Sequence, residues 1–181
     1  MTRFRHLLAG LALALFGAIA PLQYAPTTGL GYQAAHAQSL SDYAENNNVD
    51  FIFRAQTWTL PADFYVGLST SACSDSSVGT EVSAGGYARV AVTRSLANWA
   101  GTQSAGSTTA SSGTGGVTSN NAAITFGAPS ANWGSVTHFH ISTASTGGNL
   151  IICQALTTPK TINSGDAAPS FGVGAITVTF Q

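Results

Sequence analysis

From residue 121 to residue 180 the chain is a succession of short apolar runs cut by Gly, Pro, Asn and Ser, and this rhythm restricts the fold more than any other feature. The runs are Asn121-Ala-Ala-Ile-Thr-Phe126, Trp133-Gly-Ser-Val-Thr-His-Phe-His-Ile-Ser142, Leu150-Ile-Ile-Cys-Gln-Ala-Leu156 and Ala175-Ile-Thr-Val-Thr-Phe180. Their β-branched and aromatic content, and the turn residues that bound them, are those of strands. In the last run Ile176, Val178 and Phe180 alternate with Thr177 and Thr179, the two-residue period of a half-buried strand. Strands in such close succession predict an all-β fold, an antiparallel β-sandwich or jelly-roll-like domain of roughly eight strands.

Upstream, the run from Phe64 to Thr70 reads as the first core strand, after Pro61 has ended whatever precedes it. Residues 85–93 read as the next strand, with Ala88, Val90 and Val92 on the core face. Tyr87, Arg89 and Ala91 then face outward, Arg89 as a solvated charge whose stem lies along Tyr87. A short N-terminal helix is expected from residue 39 onward, capped by Asp42 with Glu45 three positions later. The run Asn46-Asn-Asn48 interrupts its apolar stripe. Residues 101–119 are almost entirely Gly, Ser, Thr and Ala, and predict a flexible loop in preference to a thin hairpin.

The first 37 residues read as a leader. A basic head with Arg3 and Arg5 precedes an uncharged apolar run of 14 residues from Leu7 to Ala20, and Ala35-His-Ala37 is a small-x-small processing site. The run is short for a membrane span, so none is expected once the leader is removed. The expected organisation is a cleaved signal peptide over residues 1–37 and one β domain over residues 38–181. Without Arg3 and Arg5, four basic residues face seven acidic ones, a formal charge of −3. Only 7% of the full chain is charged, so no basic patch for nucleic acid can be assembled, and little like-charge repulsion opposes self-association. Cys73 and Cys153 are the two cysteines. In an exported chain they form a disulfide closing a loop of about 80 residues, or else remain two thiols, Cys153 acting as a small core hydrophobe.

Three groups of residues are candidates to carry chemistry. His138 and His140 share one side of a strand, a spacing able to present two imidazoles to a metal, with Asp166 or Glu81 as a carboxylate of tertiary origin. The competing reading is a pair of neutral histidines alternating with the core residues Phe139 and Ile141. No G-x-S-x-G elbow, Walker loop or carboxylate pair in a fitting context occurs, so neither catalysis nor a cofactor is expected. Trp58, Trp99 and Trp133 flank expected strands, where Trp most often fills a core or an interface. Trp99, at the mouth of the 101–119 loop, and Tyr87 are the candidates for contact with a ligand such as a cell-surface glycan.

Several segments, in order and across most of residues 39–181, resemble a family of small phage tail fibre proteins. They are Ser39-Leu-Ser-Asp-Tyr-Ala-Glu-Asn46, Phe64-Tyr-Val-Gly-Leu68, Thr80-Glu-Val-Ser-Ala-Gly-Gly-Tyr-Ala-Arg89, Asn121-Ala-Ala-Ile-Thr-Phe126, Asn132-Trp-Gly-Ser-Val-Thr-His138 and Leu156-Thr-Thr-Pro-Lys-Thr-Ile-Asn-Ser-Gly-Asp166. The resemblance implies a non-enzymatic, β-rich structural protein and brings no catalytic residue with it. Together with the leader, it leads to the expectation of an exported homo-oligomer built into a virion or an extracellular surface structure through edge-strand contacts, in company with other virion or surface proteins. The alternative is a secreted carbohydrate-binding or adhesive module using exposed aromatics.

Overall fold

A computed structural model describes residues 33–34 and 40–180. The leader expected over residues 1–37 lies outside these, Gln33 and Ala34 excepted. The described elements are β1 (Gln33–Ala34), α1 (Asp42–Phe53), β2 (Asp63–Ser69), β3 (Val90–Thr93), β4 (Val117–Ser119), β5 (Ile124–Thr125), β6 (Gly134–Ser142), β7 (Leu150–Ile162), β8 (Ser170–Phe171) and β9 (Ile176–Thr179). The fold is all-β and sandwich-like, with one short helix. Its sheets run β3-β2-β6-β7, β1-β9-β4 and β5-β8, and every pairing is antiparallel except that of β1 with β9.

Alternation along β2 and β6 assigns the two faces of the larger sheet. Val66 stands opposite Ile141 and Leu68 opposite Phe139, and all four are buried in the core. Phe139 then meets Phe171 edge-on at 5.4 Å, and Phe171 meets Phe126 at 6.2 Å, so the rings tie the four-stranded sheet to β8 and the loop after β5. The intervening positions, Gly67 opposite His140 and Ser69 opposite His138, point to the other face. Across the sandwich, buried Asn120 joins three segments. Its amide donates to the carbonyls of Ala122 (2.8 Å) and Gly172 (2.7 Å), and its side-chain oxygen accepts from the Ile176 amide (2.8 Å).

Several expectations shift. Ser41, not Asp42, caps α1, its hydroxyl accepting from the Ala44 amide while its own backbone amide donates to the Ile151 carbonyl. The asparagine run does not break the helix, because the Asn47 and Asn48 amides fold back onto the carbonyls of Tyr43 and Ala44. β3 begins only at Val90 and Ala88 is exposed, so residues 85–89 are not a strand. A Cβ on Gly86 would lie 2.1 Å from the Ala128 carbonyl oxygen, and its φ is +85°, so this stretch is a turn pressed against the 128–131 backbone. The strand begun at Leu150 continues past Leu156 to Ile162 through Pro159, which an edge strand tolerates. The loop that starts at 101 gives way to β4 at Val117. Within it the Gln103 amide nitrogen donates to Ser107, Thr109 and Ala110.

Candidate functional site

Two features of this fold hold concentrated chemistry: a polar cluster on the outer face of the larger sheet and an apolar cavity between the sheets. The cluster forms because Gly67 lacks a side chain. A Cβ there would lie 2.3 Å from His140 Nε2 and 2.9 Å from the Tyr87 hydroxyl, so glycine alone leaves room for both. Arg89 is correspondingly not the outward solvated charge that strand alternation suggests. Its side chain is 4% exposed and grips Glu81 with two bonds, Nε to Oε1 at 2.6 Å and Nη2 to Oε2 at 2.7 Å. Its remaining nitrogen donates to the carbonyls of Ala144 and Gly147, both at 2.8 Å. The Tyr87 hydroxyl donates to Glu81 Oε1 (2.8 Å) and accepts from the Leu68 amide (2.9 Å).

His140 Nε2 lies 3.5 Å from Glu81 Oε1, an electrostatic contact longer than a firm hydrogen bond, and its Nδ1 is 3.0 Å from the Ser142 hydroxyl. Ser142, His140 and Glu81 thus lie in the order nucleophile, base, acid. Ser142 and His140 are nevertheless both buried within the sheet. His138 is turned to the Thr137 hydroxyl at 2.8 Å. Among the described residues no group of three His, Cys, Asp or Glu side chains could hold a metal ion.

The cluster makes stability fall on the acid side. Burial lowers the pKa of His140, against the opposing pull of Glu81, and burial also lowers that of His138. In the unfolded chain these imidazoles take up protons from about pH 6.5 downward, whereas the folded chain resists. The unfolded state then binds more protons, and stability declines as pH drops through that range. For Glu81, burial alone would raise the pKa, but the Arg89 guanidinium, His140 and the Tyr87 hydroxyl together hold it well below the carboxylate range. Its contribution is complete above about pH 4.5 and is lost as the pH falls below that. Thermal unfolding between pH 8 and pH 3 should therefore show a two-stage acid limb, and His140→Gln should weaken the upper stage more than the lower, to which His140 contributes only as one of the three partners of Glu81. A midpoint that stays flat down to pH 5 would contradict this assignment.

The cavity measures about 470 Å3 and opens where the two sheets part. Phe64, Ile141 and Ile152 line it from the larger sheet and Val178 from the smaller, while Leu96 and Trp99 close it from the segment after β3. Arg94 stands at its edge, its guanidinium 5.3 Å from the Phe64 ring centre and bonded to the Pro61 carbonyl. The indole N–H of Trp99 is buried without an acceptor among the described residues. Residues 39–179 of the chain match the family described as podophage GP4 fiber I protein gp80. The chain belongs to that family. No individually curated protein matches it.

Fibre family membership identifies a structural phage virion protein, and the matched span takes in α1 and all strands from β2 to β9. Among the aromatic candidates, Trp133 is a core residue whose indole donates to the Gly85 carbonyl (3.0 Å), and Trp58 is half-buried with its indole 3.3 Å from the Tyr43 hydroxyl. Trp99 is half-buried in the cavity wall, and Tyr87 is half-buried with its hydroxyl committed to the polar cluster. Cys73 and Cys153 are bonded to each other, with Cα atoms 6.3 Å apart, fastening the 70–80 loop to β7. The sequence pattern gave no sign of the Glu81–Arg89 pair. Glu81 reaches the sheet through one isolated bridge to Ser69, which no local periodicity announces.

Proposed function

We propose that this chain is a non-enzymatic structural subunit of a phage fibre that is exported, processed at Gln38 and self-associates. The observation that carries this reading is the family match over nearly the whole β body. Export is supported by the leader sequence and by the Cys73–Cys153 disulfide, since such bonds persist in oxidising surroundings. Self-association is supported by the sparse charge and by one open strand edge. Both margins of the larger sheet are guarded, β7 by Pro159 and Lys160 and β3 by the exposed Arg94 just past its end. The smaller sheet is different. The amides of Ile176 and Phe180 bond toward the β4 side, so the peptide groups of Thr177 and Thr179 point the other way, toward β1. Cleavage at Gln38 would remove β1 and bare that edge for an incoming strand. Sedimentation of the processed protein at high micromolar concentration is expected to show oligomers; a strict monomer there would end the reading.

A further inference from the structure

The two margins of the smaller sheet differ. The far edge of β4 is already taken: the Ala100 amide donates to the Ser119 carbonyl (2.8 Å), the Thr118 hydroxyl donates to the Ala100 carbonyl (2.8 Å), and Trp99 bridges to Asn120. On the β9 margin an extended segment, Gln33–Ala34, lies in register with Ile176 and Thr177, so this edge is one on which a strand seats. Along it runs Ile176-Thr-Val-Thr-Phe180, which reads in either direction as apolar, Thr, apolar, Thr, apolar. Neither β9 nor β4 nor any of residues 95–120 carries a charge, so the side chains that normally keep strand edges apart are missing here. Phe180, at the end of this run, is 53% exposed.

We infer that β9 of one processed copy pairs antiparallel with β9 of a second copy across a two-fold axis at Val178, joining the two smaller sheets in the order β4-β9-β9-β4. The inference rests on the processing and self-association proposed above and names their joint. The backbone decides the register. The peptide groups of Thr177 and Thr179 face the opened edge, whereas those of Ile176 and Phe180 bond toward β4. In an antiparallel ladder, residues that exchange both backbone bonds must each present N–H and C=O to the other strand. Thr177 therefore stands opposite the partner's Thr179, and Thr179 opposite the partner's Thr177. Val178 then meets the partner's Val178 at a non-hydrogen-bonded position, where side chains approach most closely. The same register sets Ile176 opposite the partner's Phe180. Apolar meets apolar on the core face and Thr meets Thr on the other, both favourable cross-strand pairs. A slip of one residue would set Thr against Val and turn the bonding groups apart. Because each copy offers the same edge, the contact is isologous and closes at two subunits.

Thr177→Pro and a pair of cysteine variants test this. The Thr177 amide points away from β4, so proline removes a donor from the opened edge alone and its ring blocks an approaching strand, while β9 keeps its bonds to β4. The processed wild-type chain is expected to sediment as a dimer at high micromolar concentration, and Thr177→Pro to dissociate at least about tenfold more readily. The cysteines report the register whether or not that variant folds. Thr177→Cys mixed one to one with Thr179→Cys should form a disulfide between copies under mild oxidation, because hydrogen-bonded antiparallel partners have Cα atoms about 5.5 Å apart. Either variant alone should not, since its two cysteines stand two residues out of step and more than about 7 Å apart. A Thr177→Pro chain that folds and assembles like the wild type would overturn this joint and leave self-association standing. So would a mixture that cross-links no better than its components. A monomeric wild-type chain would overturn both.

Discussion

Arg89→Met is expected to lower the free energy of unfolding by about 3 kcal/mol, measured by urea denaturation near neutral pH. The substitution keeps most of the apolar stem and removes the guanidinium. Glu81 then keeps its charge in a half-buried site with only the Tyr87 hydroxyl and a distant His140, and the carbonyls of Ala144 and Gly147 lose their donor. Removing one partner of a buried ion pair costs roughly 3–5 kcal/mol, and the lower end applies because the Glu81 side chain is 25% exposed and water can partly reach it. The double variant Glu81→Gln/Arg89→Met separates pairing from packing. Without the stranded carboxylate it should recover about 1–2 kcal/mol of the loss. If Arg89→Met unfolds at the wild-type urea midpoint, the pair lies on a solvated surface and the cluster is not what fixes the turn at residues 85–89.

The mistaken placement of Arg89 shows where the sequence stops being informative. Alternation assigns side chains to faces only within a strand, and the strand begins one residue after Arg89, at Val90. Gly86 removes the preceding residues from the sheet by its close approach to Ala128, a contact between segments some forty residues apart that no local pattern encodes. Where strands are long and paired to neighbours of similar character, the reading holds. β2, β6 and β9 appear within a residue or two of their apolar runs, and His138 and His140 share a face opposite Phe139 and Ile141. The helix was legible in its first turn, though its cap moved by one residue because Ser41, tied to β7 through its amide, is the residue with extended backbone. The cavity was less legible. Trp99 drew attention through its place beside a small-residue loop, but the walls come from β2, β6, β7 and β9, and only the packing of two sheets brings them together. The outward apolar end of α1 was equally hidden, since Ile52 and Phe53 in a sequence look like core residues.

Replacing both cysteines by alanine is expected to cost about 4 kcal/mol, close to the loss predicted for closing a loop of this length in the unfolded chain. The bond spans a sequence separation of 80, and the two alanines fit the half-buried and buried sites without adding a polar group. The structural consequence should be local before it is global. The loop that carries Cys73 also carries the Asp75 carbonyl, which accepts from the Asp42 amide at the start of α1. With the loop released, the amide of Asp42 loses protection from hydrogen exchange, while the amides of β6 that face β2 keep theirs until global unfolding. Equal loss of protection everywhere would mean that the bond acts on the unfolded chain alone. Faster exchange confined to α1 and the 70–80 loop would mean that it also sets the angle at which the helix leaves the sandwich.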